Sequence, residues 1–360
     1  MKIIFSGGFT LGPVTPLLAL ADLIRSEFPD VEFLWVGTIG GPEKDMVEKR
    51  GIKFVAIPSG KIRRYFSLKN ISDLYNVHRG YVLSKKIIRQ FKPDICITAG
   101  GFVSVPLHFA AKRLGVATWV HQQDLRLGFA NKLMIPFAKV FTVALEQNIN
   151  VFPGKSGEWI GNPVRTEILH GDAERARARF GISADRPVLF ALGGGTGSTT
   201  VNRIVTEAAA HLTDVCDILH LAGRERPKDI CEQTAKHFPH YHFFDYFDEE
   251  MADAYALADV VVCRAGFGTL TELSALRKNV ILVPDAGHQE DNAKLFFEAG
   301  AAIVVDERAA NGNYLASAVK DILSDARARE KMASNWPNVL PITMAETVAR
   351  ILRRSLSEKI

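Results

Sequence analysis

Cysteine is scarce in this 360-residue chain: Cys96, Cys216, Cys231 and Cys263 are the only four, and no two are spaced C-x-x-C. Three of them fall in or beside expected strands, so neither a disulfide framework nor a zinc site is expected, and a reducing cytoplasm suits the chain. Long apolar runs are missing as well, since no stretch approaches the ~20 residues that a membrane span needs. The opening MKIIFSGGFT carries one lysine and a short apolar run cut by Gly7 and Gly8. It reads as a buried strand, not as the apolar centre of a signal peptide. Nor is there much excess of one charge: the formal net charge of +4 gives no reason to expect nucleic acid as a partner.

What is present is a soluble globular composition, 47% hydrophobic and 23% charged, with enough length for two domains that each bury a core. Short β-rich runs alternate with amphipathic helical stretches throughout, which predicts parallel sheets wound by helices. The first series of strands is expected at 2–5, 32–36, 53–57, 94–98, 117–121, 139–143 and 158–160. A second series follows at 188–191, 217–221, 242–244, 260–263, 279–283 and 302–305. Between them Gly161-Asn162-Pro163-Val164-Arg165 breaks the pattern and reads as an interdomain linker. The expected fold is therefore α/β, with two doubly wound Rossmann-like domains facing across a cleft, 1–162 and 163–342. A C-terminal helix at about 343–360 is expected to pack back on the first domain. In such sheets ligands bind beyond the carboxyl ends of the strands, so the loops there are where chemistry is sought.

The most informative of these loops lies in VVVCRAGFGTLTE, Val260 to Glu272. An apolar run stops at Arg264, passes Gly266 and Gly268, and enters a helix that carries an acid. Backbone N–H groups at that helix start suit a phosphate, and Glu272 suits the vicinal hydroxyls of a ribose. The competing reading is an ordinary strand-to-helix turn whose acid compensates the helix dipole. Three further glycine loops follow strands: Gly7-Gly8-Phe9-Thr10-Leu11-Gly12, Gly100-Gly101-Phe102-Val103-Ser104 and Gly193-Gly194-Gly195-Thr196-Gly197. A dinucleotide-binding oxidoreductase fits poorly, because G-x-G-x-x-G is matched in none of them and neither second strand ends in the acid expected for a ribose.

Taken together, these loops, the linker GNPVRTEIL, the run DEEMADAYALADVVVCRAGFGTLTE and the later HQEDNA resemble the peptidoglycan enzymes of glycosyltransferase family 28. The resemblance runs through nearly the whole chain in order. It implies the GT-B fold and inverting transfer of N-acetylglucosamine from UDP-N-acetylglucosamine to the 4-hydroxyl of the muramyl sugar of lipid I, giving lipid II, with no metal or cofactor. It also implies that the backbone around Asp248 faces the uracil, Glu272 binds the ribose, and Gly266, Phe267, Gly268, Thr269, Leu270 and Thr271 wrap the diphosphate. Arg165 would contact the donor, its alternative role being an ion pair that fixes the hinge. Gln289 and Asn292 would read sugar hydroxyls or else cap the following helix. Thr10, Gly12, Asp124 and Gly195 complete the implied donor set, while Gly7, Gly8, Gly100, Gly101, Phe102 and Ser104 make the implied acceptor set.

Several positions depart from the family's pattern. Pro13 stands where a histidine near the reaction centre is usual, and Gly195 replaces a serine. The second loop lacks its usual glycine before Pro106. The family's HEQN reads His121-Gln122-Gln123-Asp124. With the usual histidine gone, Asp124 is the candidate general base and His121 the alternative, although Asp124 would serve equally as a helix cap. Between Lys61 and Arg89, Arg63, Arg64, Lys69, Arg79, Lys85 and Lys86 alternate with Tyr65, Phe66, Leu68, Leu74, Tyr75, Tyr81 and Val82. Such a segment suits peripheral contact with an anionic membrane surface, or else an amphipathic helix with a solvated basic face; the family resemblance implies that the surface is the cytoplasmic face of the bacterial inner membrane. Two other functions stay open: transfer to another lipid such as a diacylglycerol, and nucleotide-sugar binding without catalysis.

Overall fold

A computed structural model describes residues 1–10, 12–60, 69–194 and 197–357, the side chains of 69–72 excepted. Two compact units divide the chain: Met1–Arg165 with Ile342–Ile360, and Thr166–Pro341. Thirteen strands are found among the described residues, and each lies within two residues of an expected one. The basic-aromatic residues Arg63, Arg64, Tyr65, Phe66 and Leu68, and the loop residues Leu11, Gly195 and Thr196, lie outside the described residues.

The first unit holds β1 (Lys2–Ser6), β2 (Glu32–Thr38), β3 (Lys53–Ile57), β4 (Ile95–Thr98), β5 (Ala117–Gln122), β6 (Val140–Val143) and β7 (Glu158–Trp159). They form one parallel sheet in the order β3-β2-β1-β4-β5-β6-β7. Strands buried on both faces read as unbroken apolar runs, and β1 and β4 do so because helices cover both sides. One covering helix, Thr15–Glu27, buries Leu17, Leu18, Leu20, Ala21 and Ile24. The C-terminal helix Ala345–Ser357 joins the same core through Val348, Ile351 and Leu352, at the spacing of a single helix face.

The expected linker is not a free tether. Gly161 to Val164 are buried, and Asn162 pairs in parallel with Ile342. The Thr343 N–H donates to the Asn162 carbonyl at 3.0 Å, and the Thr343 hydroxyl donates to that of Ile160 at 3.1 Å. A buried backbone must satisfy its polar groups, and the returning C-terminal strand end does this for 160–162.

In the second unit β8 (Val188–Leu192), β9 (Asp217–Leu221), β10 (Tyr241–Phe244), β11 (Val260–Cys263), β12 (Asn279–Leu282) and β13 (Ile303–Val304) form a parallel sheet. Its order is β10-β9-β8-β11-β12-β13. Both sheets therefore reverse direction once, between β1 and β4 and between β8 and β11. The register sets the strand ends level there: Ser6 lies opposite Thr98, and Leu192 opposite Cys263.

His108 and His220 are among the histidines buried in neutral form. Burial pushes His108 down to about 3, and neither of its ring nitrogens has a partner among the described residues. His220 is pushed down to about 3 as well, but its nitrogens meet the Tyr241 hydroxyl at 2.6 Å and Asn202 Oδ1 at 3.1 Å. The unfolded chain takes up these protons near 6.5 and the folded chain only near 3. Stability is thus complete above pH 6.5 and falls as the pH drops below it. His108→Leu is expected to be neutral or stabilising at pH 7, because it removes an orphaned polar ring, and to flatten the loss of thermal midpoint between pH 6.5 and 5. Calorimetry across that range checks both, and a strongly destabilised variant with an unchanged pH slope contradicts the assignment.

Candidate functional site

At a strand-order reversal the two crossover helices leave on opposite faces, so a crevice opens beyond the strand ends. Each of the four glycine-containing loops starts at one of the two reversals. In the first unit the loops after β1 and β4 combine with the segment after β5 to line a pocket of about 330 Å³. Gly8, Thr10, Gly100, Gly101, Phe102 and Asp124 are in its wall, with Phe9, Pro13 and Phe129 beside them. Gly8 must be glycine for packing: a Cβ there would fall 2.2 Å from Oε1 of Glu43, a fully buried carboxylate. That oxygen already accepts from the Thr38 N–H at 2.6 Å.

Other residues expected at this site brace it from behind. The Gly7 carbonyl accepts from Trp35 Nε1 at 3.0 Å. Ser104 is fully buried, and its hydroxyl donates to the Ser6 carbonyl at 2.8 Å. This joins the ends of β1 and β4, so an acceptor-contacting role for the Ser104 side chain is corrected to a structural one.

His121 is corrected in the same way. It is 2% exposed, with Nδ1 2.9 Å from the Thr142 hydroxyl and Nε2 2.8 Å from Asn162 Oδ1. Trp119 Nε1 donates to that same hydroxyl at 2.7 Å. The hydroxyl therefore gives its proton to Nδ1, and Nε2–H donates to Asn162. Burial pushes the imidazole down to about 4, partly opposed by the Asn162 bond. A ring so engaged is not placed to receive a proton from a substrate.

Asp124, by contrast, is exposed at the pocket. It caps no helix, because the next helix, Phe129–Met134, is preceded by Gly128 at its cap position. Its backbone is held: the Asp124 carbonyl accepts from Gln122 Nε2 at 2.7 Å and from Asn148 Nδ2 at 2.9 Å. Gln122 Nε2 also donates to the Arg126 carbonyl at 3.0 Å. A glutamate at position 122 could make neither bond, so the amide in place of the family's acid has a local physical reason.

In the second unit the loop after β11 leads into the helix Phe267–Leu276, whose cap residue Gly266 gives no side-chain cap to its first N–H groups. Packing does not demand glycine at Gly266 or Gly268, since a Cβ at either meets nothing within 4 Å. Phe267, Leu270 and Thr271 turn into the core, and the Thr271 hydroxyl donates back to the Phe267 carbonyl at 2.8 Å. What this segment offers a ligand is its backbone N–H groups and the partly exposed Thr269. Glu272 is the sixth residue of the helix and partly exposed. Dipole compensation fades within the first turn, so the competing reading of a dipole-compensating acid loses its basis there.

Gln289 and Asn292, on the helix His288–Glu298, hold this loop in place. Gln289 Oε1 accepts from the N–H of Ala265 at 3.1 Å and of Asp285 at 3.2 Å, which leaves Nε2 as the end that can donate to a ligand. Asn292 is 5% exposed and donates to the Ala265 carbonyl at 3.0 Å. It braces the loop through Nδ2 and is not a helix cap.

Arg264 was not legible from sequence beyond ending an apolar run, yet it ties the strand ends together. It is buried, with Nε donating to Ser198 Oγ at 2.9 Å, one terminal nitrogen to the Val283 carbonyl at 3.0 Å and the other to Glu307 at 2.7 Å. The Arg264 bond holds the Glu307 carboxyl below its usual range. Asp248 is exposed after Phe247, whose ring stacks on Phe180 with centroids 5.0 Å apart, and the Asp248 N–H is already given to Glu250. Arg165 is partly exposed at the end of the first unit, and Gly12 is exposed in the first loop.

Two parallel Rossmann-like units with glycine loops at both reversals define a nucleotide-sugar transferase architecture of the GT-B class. The chain belongs to glycosyltransferase family 28: its N-terminal domain model matches residues 3–142 and its C-terminal domain model residues 188–347. It is 35% identical over 326 residues to the UDP-N-acetylglucosamine–N-acetylmuramyl-(pentapeptide) pyrophosphoryl-undecaprenol N-acetylglucosamine transferase of Clostridium perfringens, covering 89% of this chain and 90% of that one. The transferase of the same name from Lachnospira eligens is 33% identical over 329 residues, 90% of this chain and 91% of its own. Among solved structures, MurG of Acinetobacter baumannii superposes with a TM-score of 0.75 at 23% identity, covering 98% of this chain and 99% of that one. UDP-GlcNAc 2-epimerase of Neisseria meningitidis, bound to UDP-GlcNAc, shares the fold at a TM-score of 0.72 and 13% identity, over 99% and 100% of the chains.

Proposed function

We propose that this glycosyltransferase moves N-acetylglucosamine from UDP-N-acetylglucosamine to the 4-hydroxyl of the muramyl sugar of lipid I, making lipid II with inversion at the anomeric carbon. The observation that carries the donor half is the loop after β11. There an uncapped helix start, two glycines that packing does not require and a partly exposed acid one turn further on stand together. The diphosphate lies against the N–H groups of Phe267 to Thr269, Glu272 accepts from the ribose hydroxyls, the backbone by Asp248 faces the uracil and Gln289 Nε2 donates to the sugar. Arg165 adds charge to the departing diphosphate.

Asp124 is the base in this reading. Its carboxylate takes the proton of the attacking hydroxyl while the oxygen bonds to the anomeric carbon and UDP leaves with the electron pair of the broken bond. Attack on the face opposite UDP gives inversion. Asp124→Asn then lowers kcat far more than it weakens donor binding.

Membrane contact is supported by a groove of about 1070 Å³ on the first unit, walled by Tyr81, Val105, Pro106 and Phe109. At its edge Leu74 is 71% and Tyr75 63% exposed. Cationic heads flank these rings, Arg79 at 5.8 Å from Tyr75 and Lys85 at 4.6 Å from Tyr81. Apolar side chains with cations at their border suit the headgroup boundary of an anionic leaflet. Among the described residues no helix is long and apolar enough to cross a membrane.

Two experiments test the proposal. With lipid I in anionic vesicles and UDP-N-acetylglucosamine, the protein is expected to form lipid II, and Leu74→Ser/Tyr75→Ser to lose most of that turnover while keeping it on a short-chain soluble acceptor. Transfer to a diacylglycerol in place of lipid I contradicts the acceptor, and equal vesicle turnover by the variant contradicts the membrane surface. In calorimetric titrations, Glu272→Ala is expected to weaken UDP by about 1.5–3 kcal/mol and to leave a 2′,3′-dideoxy analogue nearly unaffected. Gly268→Ala should fold at least as stably as the parent, by the better helix propensity of alanine, yet bind UDP less well. Parental UDP affinity in both variants contradicts the donor site.

A further inference from the structure

The second unit carries a cavity to which, among the described residues, none of the four glycine loops contributes. It encloses about 390 Å³ beyond the carboxyl ends of β12 and β13, between the segments that follow those strands and one face of the helix His288–Glu298. Glu290, Lys294 and Phe297 face it, at the four- and three-residue spacing of a single helix side. Gln289 and Asn292, which hold the loop at Ala265, leave the helix in another direction. The cavity floor is apolar and open to solvent: Pro284, Ala286 and Val304 stand with Phe297, which is 58% exposed.

The charged groups of the wall are unequally matched. Each acid already accepts from the protein itself: Glu290 from the Gly287 N–H at 2.9 Å, Asp306 from the Arg308 N–H at 2.9 Å and Glu307 from Arg264 at 2.7 Å. The two cations are not held in this way. Lys294 meets Glu298 at 3.6 Å in a pair whose side chains are 72% and 61% exposed, a solvated contact of little worth. The Arg308 guanidinium has no hydrogen bond or ion pair among the described residues. A cationic ligand would find the acids of the wall engaged, whereas an anion finds two cations beside an uncovered apolar floor. That combination suits a molecule with an apolar body ending in a carboxylate or a phosphate.

Glu307 connects this cavity to the loop after β11. Its side chain is part of the wall, and its carboxylate holds Arg264, with the Thr200 hydroxyl donating to the same oxygen. Arg308 is the next residue in the chain, so a ligand seated on Arg308 and Phe297 fixes the segment that carries Glu307. We propose that this cavity is a ligand site separate from the donor site, taking an apolar molecule that ends in a carboxylate or phosphate, and that its occupancy tightens UDP binding through Glu307 and Arg264. The coupling rests on the donor site proposed above; the binding does not.

Calorimetric titration of the full chain with octanoate and with octyl phosphate tests it, with octanol as the uncharged control. One molecule of either anion is expected to bind per chain, and octanol about tenfold more weakly. Lys294→Ala/Arg308→Ala should weaken both anions about tenfold and leave octanol unaffected, and Phe297→Ser should weaken all three. The tighter of the two anions identifies the head group as a carboxylate or a phosphate. These side chains are exposed, so the variants are expected to keep the parental thermal midpoint. Saturating anion should raise the UDP affinity of the parent about fivefold, and that of Lys294→Ala/Arg308→Ala hardly at all. Octanol binding as tightly as octanoate, or anion binding that the double variant leaves unchanged, overturns the site. Displacement of the anion by UDP-N-acetylglucosamine makes the cavity part of the donor site and overturns its separateness, and an unchanged UDP affinity at saturation overturns the coupling. Failure of the parent to bind UDP at all overturns the donor reading instead, while the comparison of octanoate with octanol still decides the cavity.

Discussion

A parallel sheet whose strand order reverses cannot close over its own carboxyl edge. The helices that leave the two central strands go to opposite faces, and the gap between them is where backbone N–H groups point outward. This chain has two such reversals, between β1 and β4 and between β8 and β11. The register brings the strand ends level at both, so paired loops start side by side. Everything assigned to substrate binding depends on that geometry.

The two crevices are finished with different chemistry. In the second unit a buried arginine, Arg264, gathers Ser198, the Val283 carbonyl and Glu307, and so fixes the loops after β8, β11, β12 and β13 against each other. A helix start held still in this way needs no reorganisation to receive an anion, the condition under which fixed dipoles are most effective. In the first unit bracing comes from neutral amides and hydroxyls: Ser104 to the Ser6 carbonyl, Asn131 to Gln122, Gln122 to the backbone of Asp124. A pocket braced by uncharged groups around one exposed carboxylate suits a neutral, hydroxyl-bearing ring better than a diphosphate.

The sequence was most legible where the physics is local. Strands buried on both faces are unbroken apolar runs, so β1, β8 and β11 could be read directly. Glycine loops after them marked the crevices, and the order of motifs carried the family. Legibility ended where roles depend on distant partners. His121 stands as the alternative base by residue type alone, and nothing local shows that Thr142 and Asn162 occupy its two nitrogens. Gln289 and Asn292 suit sugar hydroxyls by residue type, but that each also holds the loop at Ala265, from across 24 and 27 residues, was not legible. Arg264 gave only the end of a run, because its acid, Glu307, lies 43 residues away. The burial of the linker was not legible because the segment that covers it, around Ile342, comes 180 residues later in the chain.

Donor recognition by the second unit is tested most directly by hydrogen exchange of the whole chain with and without UDP. The strongest protection is expected in the peptide from Cys263 to Glu272, with the first loop, Gly7 to Gly12, nearly unchanged. Protection centred on that first loop, with Cys263 to Glu272 unaffected, would contradict the assignment of donor and acceptor to the two crevices.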